Sequence, residues 1–171
     1  MHEQSLQHMQ NFVEKYLDKS KRLNIIDIGS YNDNGCYKPY FDNPTWKYTG
    51  LDLYAGPNVD IIADSVYKYP VGNEVYDVVI SGQTLEHVED MYAWIKEVNR
   101  ILTVDGIVCI IVPCAWGEHR YPLDCWRVYP DGMKFLLGKI GELELIDVFC
   151  IPPDTVGIAK KVKGMYRKRR R

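Results

Sequence analysis

The 171-residue chain lacks the marks of several protein classes. Its five cysteines include no Cys-x-x-Cys pair, so neither a disulfide framework nor a common zinc motif is indicated. No run of eighteen apolar residues occurs, and the first ten residues show no basic segment followed by an apolar one, which argues against a membrane span and a signal peptide. No internal repeat is present. We therefore expect one cytoplasmic domain with reduced thiols.

The basic residues are concentrated at one end of the chain. Residues 160–171 contain eight of the 21 lysines and arginines, which leaves 13 basic against 23 acidic residues elsewhere, a net charge of about −10. An acidic body is not typical of a nucleic-acid-binding face built into the fold. We predict a domain of residues 1–162 and a basic tail of residues 163–171, which is either a solvated end or a weak contact to anionic lipid or RNA.

Short β-branched runs alternate with helical segments early in the chain and follow one another directly at its end. The predicted strands are residues 23–28, 48–53, 59–63, 75–81, 107–112, 143–149 and 155–159. A loop with Pro152-Pro153 separates the last two. This order predicts a single α/β domain with a seven-stranded, mostly parallel sheet and an antiparallel C-terminal hairpin.

Helical spacing of apolar residues places three helices around this sheet. A capping helix is predicted within residues 1–19, a second helix runs from an N-cap at Asp90 to a stop at Asp105-Gly106, and a third begins near Pro130. The twelve residues 36–47, which should form the first crossover, contain two prolines. We therefore predict a first crossover helix shortened to a turn or two.

Polar residues follow the first four predicted strands, at the edge where open parallel sheets bind ligands. Gly29 lets the backbone turn sharply and approach a ligand. Asp52 follows after about twenty residues, where an acidic side chain can accept hydrogen bonds from ribose hydroxyls. Asp64 and Ser65 are placed to bind an adenine amine, and Ser81 opens a polar segment after the fourth strand.

Three further stretches carry a family resemblance, namely Tyr76-Asp-Val-Val-Ile-Ser81, Leu85-Glu-His-Val88 and Leu102-Thr-Val-Asp-Gly106. In this order they resemble the class I S-adenosylmethionine-dependent methyltransferase family, in its methyltransferase-11-like branch. The resemblance spans about residues 24–112 and implies a Rossmann-like fold, S-adenosyl-L-methionine as cofactor and S-adenosyl-L-homocysteine as product. The cofactor-binding residues that it implies are Asp27, Gly29, Ser30, Tyr31, Gly35, Asp52, Leu53, Asp64, Ser65, Ser81, Gly82 and Gln83.

The glycine loop departs from the family pattern. The family's loop usually reads Asp-x-Gly-x-Gly-x-Gly, whereas here Asn32 and Asp33 stand near the middle glycine and only Gly29 and Gly35 remain. A nicotinamide-binding domain requires Gly-x-Gly-x-x-Gly before a long helix, which the short proline-containing segment cannot form. The Leu85–Val88 stretch has a simpler interpretation as the start of a helix, with its glutamate near the positive end.

Residues 114–132 combine aromatic, basic and acidic residues without periodicity, which is atypical of a passive connector. Their segment His119-Arg-Tyr-Pro-Leu-Asp-Cys-Trp-Arg127 resembles a stretch of methyltransferases encoded with glycan and natural-product pathways. This resemblance implies His119 as general base and Asp124 as its orienting partner. It also implies that Trp116, Arg120, Tyr121 and Arg127 contact the substrate. For Arg127, a contact with the cofactor carboxylate is the alternative.

Two alternatives to these roles remain open for the same segment. In the first, its aromatic residues pack the loop onto the sheet, Asp124 pairs with Arg127 and His119 is solvated. In the second, Cys114, His119 and Cys125 bind a metal, but their spacing matches no common zinc pattern and we expect no metal site.

We expect methylation of a hydroxyl oxygen on a small polar acceptor, such as a sugar or glycan, because the segment places a candidate base near the cofactor and no separate substrate domain is present. One alternative is an RNA methyltransferase that uses the basic tail. Another is a non-catalytic subunit that binds the cofactor and serves a partner.

Overall fold

The computed structural model describes residues 1–164, and its strands form one sheet. The strands are β1 (Leu23–Ile28), β2 (Trp46–Asp52), β3 (Ile61–Ile62), β4 (Tyr76–Gly82), β5 (Leu102–Pro113), β6 (Glu144–Ile151) and β7 (Asp154–Lys160). Their order is β3-β2-β1-β4-β5-β7-β6. The first five strands pair in parallel, and β7 pairs antiparallel with both β5 and β6. The predicted seven-stranded α/β sheet with an antiparallel C-terminal hairpin is confirmed.

The helices of the described part are α1 (Glu3–Tyr16), α2 (Met91–Ile101) and α3 (Pro130–Lys134), which continues as a π-helix (Phe135–Ile140). Asp90 caps α2 as predicted, because its carboxylate accepts hydrogen bonds from the first-turn amides of Tyr92 and Ala93. The first crossover contains a single 3₁₀ turn at Lys38–Phe41, which confirms the predicted shortening. No helix within residues 1–164 is long and apolar enough to cross a membrane.

Several predicted boundaries differ from the structure, and two of the differences concern where an element ends or how long it is. The helix α2 ends at Ile101, well before the predicted stop at Asp105-Gly106, because Leu102 already pairs with Tyr76 in the sheet and begins β5. The third strand has only two residues instead of the predicted five. Of the predicted basic tail, residues 165–171 lie outside the described part of the chain.

Both faces of the sheet are buried, as parallel strands require. Ile25 of β1 packs in a cluster with Phe12 of α1, whereas its neighbour Ile26 packs in a second cluster with Trp94 and Val98 of α2. Because strand order reverses between β1 and β4, the carboxyl ends of these strands form the crevice where doubly wound sheets bind ligands.

Candidate functional site

A cavity of about 980 Å³ opens at the carboxyl ends of β1, β2 and β4. Its volume lies at the upper end of the range of ligand pockets, about 300–1,000 Å³, so a nucleotide-sized ligand and a second small molecule fit together. Of the residues predicted to bind cofactor or substrate, those that line it are Gly29, Tyr31, Gly35, Asp52, Leu53, Gly82, Gln83, Trp116, Arg120 and Tyr121. The predicted base His119 lines it as well.

The turn at Gly29 brings backbone to the edge of this cavity. Gly29 has φ of +79°, and its amide donates a hydrogen bond to the Leu51 carbonyl at 2.9 Å. A Cβ atom here would lie 2.1 Å from Thr84 Oγ1, so both the conformation and the packing require glycine. Gly29 thus lets the backbone approach a ligand in the cavity, as the sequence predicted.

Asp52 joins the two loops that border the cavity at this end. Its Oδ2 accepts a hydrogen bond from the Tyr31 amide at 3.1 Å, and its Oδ1 accepts one from the Leu53 amide at 2.7 Å. Each carboxylate oxygen has a further lone pair. The side chain can therefore accept hydrogen bonds from a ligand while it holds both loops.

The loop at residues 114–129 is held by an ion pair. Arg127 donates to both oxygens of Asp124, at 2.6 and 2.7 Å, and to the carbonyls of Trp116 and Gly117. These bonds hold the pKa of Asp124 well below its usual range. Arg127 does not line the cavity. The structure thus has the alternative arrangement, in which Arg127 pairs with Asp124 instead of facing a substrate.

His119 lines the cavity, and its Nε2 lies 3.6 Å from the buried Glu86 Oε1. Its backbone amide donates to Asp124 Oδ2 at 2.6 Å, and its Nδ1 lies 3.1 Å from the Gly117 carbonyl and 3.5 Å from Asp124 Oδ2. Arg127 Nη2, a donor, also lies 3.5 Å from Nδ1, but the Gly117 carbonyl is nearer at 3.1 Å, so Nδ1 is assigned as the protonated nitrogen and Nε2 as the acceptor. Asp124 orients His119 chiefly through the backbone.

Glu86 is the functional side chain whose role the sequence missed. It is 0% exposed, and neither carboxylate oxygen has a hydrogen-bond partner among the described residues. Burial raises its pKa to about 8. Its Oε1 lies 3.7 Å from His87 Nε2 and 3.6 Å from His119 Nε2. The Leu-Glu-His-Val stretch forms a 3₁₀ turn (Leu85–His87) that directs Glu86 inward, so it is not a simple helix start.

The loop is tied to this turn by three hydrogen bonds. The Cys125 amide donates to the Glu86 carbonyl at 2.7 Å, Trp126 Nε1 donates to the Val88 carbonyl at 2.7 Å, and His87 Nδ1 lies 2.5 Å from the Leu123 carbonyl. These bonds hold His119 next to Glu86, although the two residues are more than thirty positions apart in the sequence.

The N-terminal segment also borders the cavity, which no sequence signal indicated. Met1 and His2 line it, and the His2 ring stacks on Trp116 with centroids 5.1 Å apart. His2 Nε2 lies 3.2 Å from Asp154 Oδ1, which also accepts a hydrogen bond from Gln83 Nε2 at 2.9 Å. The start of α1 and the loop therefore meet over the same opening.

Comparison with known proteins identifies the family of this site. Residues 27–110 match the family model described as a methyltransferase domain. The matched segment contains the Gly29 turn, Asp52 and β4, at the crevice where the strand order reverses. Residues 27–110 therefore form a methyltransferase domain of the class I S-adenosylmethionine-dependent family. S-adenosylmethionine is accordingly the cofactor of this methyltransferase.

Solved structures share the fold of the methyltransferase at low sequence identity. The 1,6-didemethyltoxoflavin-N1-methyltransferase of Burkholderia thailandensis, solved with S-adenosylhomocysteine, is 18% identical with a TM-score of 0.73, over 92% of this chain and 78% of that one. A methyltransferase from Aquifex aeolicus is 14% identical with a TM-score of 0.65, over 95% of this chain and 100% of that one. A methyltransferase from Methanosarcina mazei is 15% identical with a TM-score of 0.67, over 88% of this chain and 97% of that one. No curated protein matches the sequence.

The residues at the crevice fit S-adenosylmethionine. The turn at Gly29 brings backbone to the edge of the cavity, and the Asp52 carboxylate, which borders the same cavity, suits the ribose hydroxyls. Beyond Asp52 the cavity is lined by Val66 and Tyr69, which offer an apolar wall to adenine. Gln83, in a left-handed conformation with φ of 57°, stands at the opposite end of the crevice.

Five predicted cofactor residues of the methyltransferase do not line the cavity. Asp27, Ser30 and Ser81 are buried and hold strand ends together: Tyr48 donates to Asp27 at 2.5 Å, Ser30 donates to the Asn58 carbonyl, and Ser81 donates to the Ile28 carbonyl. The other two are Asp64 and Ser65. Asp64 is exposed at the surface and does not border the cavity, although Val66, two residues later, lines it.

Asp27 gives the methyltransferase a pH-dependent stability. Asp27 is 2% exposed, and burial raises its pKa from 3.8 to about 7. Between these values the folded state keeps a proton that the unfolded state loses, so we expect the free energy of unfolding to fall as the pH rises from about 4 to about 7. A difference of about three between the folded and unfolded pKa values of Asp27 lowers the free energy of unfolding by about 4 kcal/mol over this range.

Urea unfolding of wild type and Asp27→Asn at pH 3.5 and pH 7.5 measures this effect, because these pH values bracket the range from about 4 to about 7. The asparagine keeps an acceptor for Tyr48 but no titrating proton. We expect the variant to lose about 4 kcal/mol less than wild type over this range. If the free energy of unfolding falls equally in wild type and Asp27→Asn, Asp27 is not the group whose raised pKa causes the pH dependence.

Proposed function

We propose that the methyltransferase transfers a methyl group to a hydroxyl oxygen of a small polar acceptor, such as a sugar or glycan. The observation that carries the proposal is that His119 lines the same cavity as Gly29 and Asp52, with buried Glu86 behind it. A hydroxyl group must lose its proton during methylation, whereas a neutral amine attacks with its own lone pair, so a base beside the cofactor favours a hydroxyl acceptor.

The residues of the loop set up this base. The Gly117 carbonyl accepts from His119 Nδ1, which leaves the Nε2 lone pair to take the hydroxyl proton. Asp124 fixes the His119 backbone, and Arg127 fixes Asp124. The cofactor, when bound, supplies an electrophilic methyl group on its sulfonium. The chain's own contribution is therefore alignment of the acceptor and removal of one proton.

The mouth of the cavity suits a polar ring. Trp116, Arg120 and Tyr121 line it and are exposed. Aromatic rings offer flat surfaces that cover the apolar face of a sugar, and the Arg120 guanidinium donates hydrogen bonds to hydroxyl groups. The likeness of this loop to that of glycan-pathway methyltransferases supports the same acceptor class.

A transfer assay with isotopically labelled S-adenosylmethionine tests the acceptor class. We expect methyl transfer to monosaccharides, glycosides or other small polyols, with the product identified as a methyl ether by mass spectrometry and NMR. Matched amino sugars separate oxygen from nitrogen as the acceptor, which matters because the Burkholderia thailandensis neighbour is an N1-methyltransferase. Methylation confined to nitrogen, in a panel that contains both groups, would refute the proposal.

A further inference from the structure

Three side chains with metal-binding atoms converge on one point of the cavity wall. The ligand atoms of Glu86, His87 and His119 all lie within 4.8 Å of one another, and both histidines line the cavity. The geometry points to a divalent cation site formed by Glu86 Oε1, His87 Nε2 and His119 Nε2. The sequence predicted no metal, because it considered His119 only with Cys114 and Cys125.

The two imidazoles are oriented as metal ligands are. His87 Nδ1 lies 2.5 Å from the Leu123 carbonyl, and His119 Nδ1 lies 3.1 Å from the Gly117 carbonyl. In both rings the carbonyl fixes the proton on Nδ1, so the Nε2 lone pairs face the shared point. A hydrogen bond from the second ring nitrogen to a carbonyl is the usual outer contact of a metal-bound histidine.

The buried carboxylate supplies an independent reason for a cation. Both oxygens of Glu86 are buried without a hydrogen-bond partner among the described residues, and its side chain is 0% exposed. Burial of an unpartnered carboxylate is costly whether the group is charged or neutral. A cation at the convergence point removes this cost, because it binds Oε1 directly.

The ligand set selects the class of ion. One carboxylate and two imidazoles suit Mn²⁺, Fe²⁺, Co²⁺ or Zn²⁺, whereas Mg²⁺ and Ca²⁺ prefer oxygen ligands alone. Metal bonds of about 2.1 Å place adjacent ligands about 3 Å apart, so the 3.6 and 3.7 Å from Glu86 to the two histidines, and their mutual separation within 4.8 Å, must contract when the ion binds. Three ligands on one side leave the remaining coordination positions open toward the cavity.

The cation has a chemical use at this position, and that use rests on the proposed function. An acceptor hydroxyl that binds an open position becomes more acidic and passes its proton to solvent water. His119 then acts as a ligand and the cation replaces it as the group that activates the hydroxyl. The binding site itself depends only on the geometry of the three side chains.

Direct metal binding tests the site without any acceptor. The full chain is prepared without a histidine tag, treated with chelator, and titrated with Mn²⁺ by electron paramagnetic resonance and with Zn²⁺ by calorimetry. We expect one ion per chain, and at least about tenfold weaker binding in Glu86→Gln and in His87→Asn. The matched controls are Glu118→Gln, an exposed carboxylate of the same loop, and His8→Asn, a histidine of α1 outside the cavity. Both should bind as wild type does.

Circular dichroism and S-adenosylhomocysteine binding verify that each variant is folded. Because two different metal ligands are replaced, in Glu86→Gln and in His87→Asn, the test remains decisive if one of these variants fails to fold. Wild type that binds no ion, or folded Glu86→Gln and His87→Asn that bind as tightly as wild type, would overturn the site. Methylation of a hydroxyl that persists in EDTA would overturn the catalytic use and leave the proposed function intact. Stoichiometric metal binding with methylation confined to nitrogen would refute the proposed function and leave the site intact.

Discussion

His119→Ala should lower kcat for methyl transfer by about 10²–10⁴-fold, the range for loss of a positioned general base. The substitution removes the imidazole that lines the cavity and leaves Asp124 paired with Arg127, so the loop keeps its main ion pair. Within the described residues, the hydrogen bonds and ion pairs of His119 involve Gly117, Asp124, Arg127 and Glu86 and not the cofactor loops at Gly29 and Asp52. We therefore expect the Kd of S-adenosylhomocysteine to change by less than about twofold, which is a change in binding free energy smaller than RT.

Steady-state kinetics and calorimetry separate these two effects. Glu118→Gln is the matched control, because Glu118 precedes His119 directly and is exposed in an ion pair with Arg120; its kcat should match that of wild type even if the freed Arg120 changes KM. A His119→Ala enzyme that turns over at the wild-type rate would contradict a role for the imidazole as base or ligand. Loss of cofactor binding in that variant would instead place His119 in the cofactor site.

Asp52→Ala should weaken S-adenosylhomocysteine binding by about 10²-fold. Its carboxylate is expected to accept both ribose hydroxyls, and a hydrogen bond to a charged group contributes about 1.5–3 kcal/mol. The variant also loses the bonds that Asp52 accepts from the Tyr31 and Leu53 amides, which order the loops at the crevice. Calorimetric titration of the folded protein gives the change in Kd directly.

Asp64→Ala is the informative control for this experiment. The sequence assigned Asp64 to the adenine amine, whereas the structure places it at the surface, outside the cavity lining. We expect a Kd within about twofold of wild type, a difference below RT. A large loss of affinity in Asp64→Ala with little change in Asp52→Ala would show that the cofactor lies differently in the crevice.

Local chemistry explains why half of the candidate site was predictable. Gly29 and Asp52 end buried strands, and the direction of parallel strands places such residues at one edge whatever the rest of the chain does. Asp64 was misplaced because the position of its side chain depends on where β3 ends, and a two-residue strand leaves almost no periodic signal. Asp27 and Ser81 precede the turns themselves and face the packed strand ends instead of the ligand.

The Glu86 cluster could not be predicted in the same way. The Leu-Glu-His-Val stretch fits a helix start as well as it fits an inward 3₁₀ turn, because both conformations have the same local pattern. The choice between them is made by contacts with a loop more than thirty residues away, such as the bond from the Cys125 amide to the Glu86 carbonyl. The contribution of His2 at the mouth of the cavity likewise depends on its stacking against Trp116.

The sequence by itself determined the order of strands and helices, the shortened first crossover and the glycine turn before Asp52, because hydrophobic period, proline and glycine act on their own neighbours. Tertiary structure alone decided which polar side chains share the cavity: it brought His119 to Glu86 and His87, placed the N-terminal segment at the cavity wall, and left Asp64 outside. The physical reason is that a side chain's surroundings are set by packing between distant segments, whereas its strand or helix is set largely by its neighbours in the chain.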